Sequence, residues 1–243
     1  MDATLLHNCV LEFLGTLVLV LMGDGVCAAT SLNKCKAKGA GWVVVALGWG
    51  FAVMCGVFVA HDSGAHLNPA VSVALAIAGQ FGWDGVLPYI VAQMLGGFCG
   101  AVLVWLFYKD HFDATADDPS TVLGCFCTAP AIKNIWNNVF SEVVATFVLL
   151  LGILCFSTYG DTANIGATSA LPVTLLIMAI GMSLGATTGY AMNAARDLAP
   201  RIAHAVLPIK GKKGSDWGYS WVPVVGPILG GALAAVVYLA VYC

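Results

Sequence analysis

The chain has 243 residues, of which 60% are hydrophobic and only 9% charged, with a formal net charge of −3. A water-soluble domain carries roughly 25% charged residues, and the mean hydropathy here is +0.89. These values exclude a soluble globular fold and point to an integral membrane protein.

A helix needs about 20 apolar residues to cross the hydrocarbon. In chain order, residues 5–29 form the first expected span. The run is too long for a signal-peptide core and has no basic segment before it. Residues 40–60 form the second span. The stretch SGAHLNPAVS (63–72) then sets His66 and Asn68 directly before a proline. A short apolar piece follows from Asn68 to a break at Gly79. Residues 84–108 form the third span. The connection 109–133 carries the run DATADDP, which reads either as a solvated acidic loop or as a segment that shapes the entrance. Its C-x-C pair, Cys125 and Cys127, has no histidine or cysteine cluster at metal spacing around it. Most of the other seven cysteines lie in apolar runs, where cysteine packs as a small hydrophobe. Residues 134–158 and 170–188 form two further spans. An altered copy of the motif, TGYAMNAARD (188–197), precedes a second short piece starting at Asn193. Residues 221–242 form the last span. The two short pieces are too short to cross and too apolar for ordinary loops, which predicts re-entrant half-helices. Irregular backbone at membrane depth survives only where protein buries it or water lines it. The expected fold is an all-α membrane bundle of six spans and two half-helices.

The halves resemble each other. EFLGTLVLVL (12–21) matches EVVATFVLLL (142–151), and MLGGFCGAVLVW (94–105) matches ILGGALAAVVYL (228–239). Repeat one covers about 1–108 and repeat two about 134–243, within a single domain of 1–243. Each repeat holds three spans, an odd number, so the second enters the membrane inverted. Inverted repeats bring their special segments together near the midplane. Gly96, Gly97 and Gly100, with Gly226, Gly230 and Gly231, mark close helix approaches.

Asn68 is positioned to N-cap the first half-helix, with Pro69 at its first turn, where the missing N–H costs nothing. The amide NH2 then remains as a donor. The non-helical approach Gly64-Ala65-His66-Leu67 offers carbonyls, and Gly189, Tyr190 and Ala191 offer them beside Asn193. A line of acceptors with two central donors suits a neutral, hydroxylated molecule. Two half-helix N-termini and Arg196 place positive potential at the centre, which repels cations and protons. Ala194 stands where the first copy has proline and keeps a good helix start. Glu12 and Glu142 occupy matched places inside spans one and four. They serve either a proton relay or as carboxylates holding the N–H groups of the loops. His66 either titrates or is hydrogen-bonded inside its loop.

These motifs resemble those of the major intrinsic protein family, the aquaporins and aquaglyceroporins. The resemblance implies a right-handed six-helix bundle, assembled as a homotetramer with one pore per subunit. Asn68, Pro69 and Ala70 correspond to the family's asparagine-proline-alanine motif, and Asn193, Ala194 and Ala195 to its second copy. The aromatic/arginine constriction carries over to Trp49, Gly181, Tyr190 and Arg196. Asp197 resembles the glycerol-conducting branch, whereas water-selective members tend to carry histidine at the position of Gly181. A glycine there leaves room that histidine would fill. Trp49 and Tyr190 form an apolar corner for a carbon backbone, and Arg196 donates to hydroxyls opposite.

The resemblance implies a passive channel for glycerol and small neutral solutes, with some water. It implies no enzyme activity, cofactor or nucleic-acid partner. The setting is membrane lipid, in a plasma membrane, with both termini cytoplasmic. The ten Lys and Arg fall in the first, third and fifth connections, which the positive-inside rule would place in the cytoplasm instead. Rival functions are a water-selective pore, a broader pore for urea, dihydroxyacetone or undissociated acids, a proton-coupled transporter, and an occluded structural protein.

Overall fold

With no water available in hydrocarbon, a spanning chain satisfies its backbone polar groups internally, and a helix does so within one segment. The computed structural model describes residues 2–156 and 170–243. Among them lie α1 (Ala3–Ser31), α2 (Trp42–Val59), α3 (Pro69–Ile77), α4 (Trp83–Phe107), α5 (Lys109–Asp113), α6 (Pro119–Gly124), α7 (Ile135–Phe156), α8 (Leu171–Ser183), α9 (Ala194–Val206) and α10 (Val222–Tyr242). No strand occurs among the described residues. By length and composition, α1, α2, α4, α7 and α10 can each cross a membrane. The segment expected at 170–188 is a 13-residue apolar helix, α8. It stops at Ser183, and the chain turns through 184–188 into the second motif. Residues 157 and 158 of the expected fourth span lie outside the described residues.

The short pieces are helices that start at the motif asparagines. The first, α3, has 9 residues, and the second, α9, has 13 and runs through Pro200. Each half-helix packs on the last helix of the other repeat, α3 on α10 and α9 on α4. Within each repeat the first and last long helices pair, α1 with α4 and α7 with α10.

Matched glycines permit these contacts. A Cβ on Gly96 would strike the Phe13 carbonyl oxygen, and one on Gly230 would strike that of Val143. Phe13 and Val143 are themselves matched positions of the repeat. Gly97 faces the Ala195 carbonyl oxygen in the same way, and a Cβ on Gly231 would lie 3.2 Å from that of Ala70. The close approaches therefore obey the same pseudo-two-fold relation as the motifs.

The connection 109–133 is more than the acidic run it carries. It folds into α5 and α6 and supplies core: Phe112, Val122, Cys125 and Phe126 are fully buried, and the Phe112 and Phe126 rings lie 5.4 Å apart. Only Asp117 and Asp118 of the acidic run are well exposed. Asp118 N-caps α6, accepting from the Thr121 N–H at 3.1 Å. Cys125 and Cys127 are free and buried.

Candidate functional site

Asn68 and Asn193 enter their half-helices with nearly identical extended backbone, at φ −158°, ψ 122° and φ −157°, ψ 112°. The Oδ1 atoms accept from the Ala70 and Ala195 N–H groups, both at 2.9 Å. Each amide then donates across to the other loop. Asn68 Nδ2 donates to the Met192 carbonyl and Asn193 Nδ2 to the Leu67 carbonyl, both at 2.8 Å. One N–H of each amide is therefore committed, and one remains. The Leu67 carbonyl, expected to face a permeant, is used by Asn193 instead.

The approaches to both asparagines share an unusual backbone. Gly64, Ala65 and Leu67 have positive φ, as do their counterparts Gly189, Tyr190 and Met192. For the four non-glycines, with φ from 39° to 53°, this conformation costs about 1–2 kcal/mol each. Two buried carboxylates hold it. Glu12 Oε1 accepts from Ser63 Oγ (2.7 Å) and the His66 N–H (2.8 Å). Its Oε2 accepts from the Leu67 N–H (2.7 Å) and Gln93 Nε2 (2.8 Å). Glu142 Oε1 accepts from Thr188 Oγ1 (2.7 Å) and the Ala191 N–H (3.0 Å), and Oε2 from the Met192 N–H (2.9 Å). With N–H groups so engaged, the carbonyls of Gly64, Ala65, His66, Gly189, Tyr190 and Ala191 accept nothing from the described residues.

These groups border a cavity of about 330 Å³, lined by Gly64, Ala65, His66, Asn68, Ala191 and Asn193 along its polar side. Trp49, Tyr190 and Arg196 line it too, and Val53, Val57 and Ile177 are among its apolar walls. Trp49 is 4% exposed. The Arg196 guanidinium carbon lies 4.1 Å from the Trp49 ring centroid, a cation–π stack. The guanidinium N–H groups meet no acceptor among the described residues. Trp49 Nε1 donates to Cys27 Sγ at 3.4 Å.

Two expected residues stand back from the cavity. Gly189 packs against Thr128. Gly181 lies behind Tyr190: a Cβ there would meet the Tyr190 Cζ and hydroxyl at 2.9 Å. The room left by this glycine is thus already filled by the tyrosine ring, which corrects the expectation of free space for a histidine. His66 is 8% exposed, with Nδ1 3.0 Å from Ser72 Oγ.

Asp197 and Arg201 form a fully buried ion pair at 2.9 Å. Asp197 Oδ2 also accepts from the N–H and Oγ1 of Thr128, at 2.7 and 2.6 Å. Arg201 donates to the Thr128 and Ser215 carbonyls. Two connecting loops are thereby fastened to α9. Sequence reading missed Trp42, whose Nε1 donates to the Gly181 carbonyl at 2.8 Å and whose ring meets Tyr190 edge-on at 5.8 Å. It missed Ser63, Gln93, Thr128 and Thr188 as well. The repeat could have pointed to Ser63 and Thr188, which each stand five residues before a motif asparagine; no local signal marks Trp42.

A family model described as Major intrinsic protein matches residues 1–238. Glycerol uptake facilitator protein 3 of Lactiplantibacillus plantarum is 54% identical over 228 residues, covering 93% of each chain. A probable glycerol uptake facilitator protein of Thermotoga maritima is 50% identical over 230 residues, covering 93% of this chain and 96% of its own. The X-ray structure of the aquaglyceroporin from Plasmodium falciparum superposes with a TM-score of 0.84 at 32% identity, covering 98% of this chain and 97% of that one. Paired half-helices meeting at two asparagines, on a fold shared end to end with these proteins, agree with the family model: the chain belongs to the major intrinsic protein family.

Proposed function

We propose that the chain is a passive channel for glycerol and similar small neutral solutes, with some water, that excludes protons and ions. The observation that carries this is the wall of Trp49 and Tyr190 beside Arg196, whose guanidinium donors have no acceptor among the described residues. A polyol has an edge of carbon and an edge of hydroxyls. The aromatic rings receive the first and the guanidinium donates to the second. Five carbonyls that border the cavity, of Gly64, Ala65, His66, Tyr190 and Ala191, have no donor among the described residues and accept from the hydroxyls in turn, and the remaining N–H of each asparagine donates at the centre.

Ion exclusion follows from the same parts. Each half-helix N-terminus carries a partial positive charge of about half an elementary unit. The Arg196 charge adds to it, whereas the other buried arginine, Arg201, is paired with Asp197. No covalent step is involved. In this reading residues 1–243 are one channel domain, the assembly is a homotetramer with a pore in each subunit, and both termini face the cytoplasm of a plasma membrane.

The test is stopped-flow light scattering on proteoliposomes, comparing glycerol entry with water efflux. Glycerol entry well above that of empty liposomes supports the proposal. Fast water without glycerol would make this a water-selective pore. Uptake against a gradient driven by pH would make it a proton-coupled transporter, and no flux of either solute would leave it a structural protein.

A further inference from the structure

Trp49 forms one wall of the constriction, yet the residues that hold its ring lie on another helix and do not border the cavity. Gly23 and Cys27 are one turn apart on α1 and so share a face. A Cβ on Gly23 would fall within 3.0 Å of three Trp49 ring carbons, Cζ3, Cε3 and Cη2. The glycine is a notch into which the six-membered ring fits. At the other end of the indole, Nε1 donates to Cys27 Sγ at 3.4 Å. Sulfur is a weak acceptor, but it is the acceptor that this donor meets among the described residues. Gly48 supports the same contact, since a Cβ there would press on the Val26 side chain within 3.0 Å. The Trp49 backbone is thus held close to α1. The remaining side of the ring faces Arg196, 4.1 Å from the ring centroid.

We infer that Gly23 and Cys27 are positioning residues for the constriction: notch and thiol together fix how far the Trp49 ring stands towards Arg196, and so set the preference for a polyol over water. This rests on the glycerol-channel function proposed above. A ring pushed forward carries with it the Arg196 guanidinium, already stacked on it at 4.1 Å, and so narrows the opening beside the pair that a carbon backbone needs, while water requires less. A ring released from the thiol can tilt, so the fit to the carbon backbone becomes poorer and the length limit for polyols relaxes.

The test uses full-length protein in liposomes, with permeability to glycerol, water, urea and a five-carbon polyol measured for Gly23→Ala, Cys27→Ala and Cys27→Ser. Gly23→Ala is expected to lower the glycerol-to-water ratio about tenfold, since a backbone-borne Cβ cannot retreat from the ring. Cys27→Ala removes one neutral hydrogen bond, a change of roughly two- to tenfold in the ratio, and raises five-carbon polyol entry relative to glycerol. Cys27→Ser keeps an acceptor and is expected to restore both ratios. Water permeability and thermal midpoint report folding, and if Gly23→Ala fails to fold, the two Cys27 variants carry the test. Equal loss of all permeabilities, unchanged ratios in Cys27→Ala, or Cys27→Ser behaving as Cys27→Ala would each overturn the inference. Should the wild type pass no glycerol, the proposed function fails, and the water-to-urea ratio of the same variants still tests the positioning.

Discussion

Glu142→Gln separates an anchoring carboxylate from a proton relay. Glu142 is fully buried and receives three donors and no acceptor. A glutamine keeps one acceptor oxygen and replaces the other with an NH2 group. If the NH2 replaces Oε2, it faces the Met192 N–H. If it replaces Oε1, the Thr188 hydroxyl can rotate to accept, but the Ala191 N–H loses its partner. Either way one buried backbone N–H is orphaned, at a cost of about 1–3 kcal/mol. For a chain of this size, each kcal/mol moves the thermal midpoint by about 2–4 °C, so a fall of roughly 2–12 °C is expected. The Met192 carbonyl orients Asn68 of the other repeat, so glycerol permeability should fall with it. The assay is apparent thermal unfolding in detergent, paired with glycerol flux from the same preparation. An unchanged midpoint together with loss of pH-driven solute accumulation would refute the anchor and establish a relay.

Ala194→Pro should stabilise the chain by about 0.4–1 kcal/mol and keep glycerol flux. Asn193 already has the extended backbone that a following proline demands, and the Ala194 N–H has no partner among the described residues; a lowered midpoint would contradict this. Gly97→Ala sets a Cβ against the Ala195 carbonyl oxygen. Overpacking of this kind costs about 1–3 kcal/mol, and the shift of α9 should lower glycerol flux as well as the midpoint. Asp118 is held down to about 2, chiefly by donors from Ser120 and Thr121. Its folded value lies below the unfolded one, so its N-cap is fully present above about pH 4. The cap is lost as pH falls through about 2, and hydrogen exchange at the Thr121 N–H should rise over that window but not in Asp118→Ala, where it is already fast.

Much of the architecture could be read from two periodic facts, the apolar runs and the doubled motif. Asn68 and Asn193 are legible as caps because capping is local, needing only the residue and its next two or three neighbours. The cross-links are not, because Asn68 finds Met192 and Asn193 finds Leu67 more than a hundred positions away. The core contribution of the 109–133 connection is hidden in the sequence for a related reason. Its acidic residues are consecutive and conspicuous, whereas Phe112, Val122 and Phe126 are sparse and show their purpose only once they meet. Gly181 illustrates a different limit. A glycine announces that something approaches closely, but the occupant, Tyr190, comes from a loop after the helix has ended.

The bonds between the two motifs obey the rule of a two-fold dimer interface: if one residue touches another, their counterparts touch in return. Asn68 to Met192 and Asn193 to Leu67 are such a reciprocal pair, written within a single polypeptide. Two separate copies of one half would make the same contacts, but they would be bound to carry identical side chains on both sides. Such a pair would have two arginines at the position of Arg196 or none. Joining the halves in one chain freed each to change alone: Val71 opposite Arg196, Pro69 opposite Ala194. The single arginine, and with it a positive charge beside one of the two asparagines only, is a property that covalent fusion makes available and that symmetry forbids.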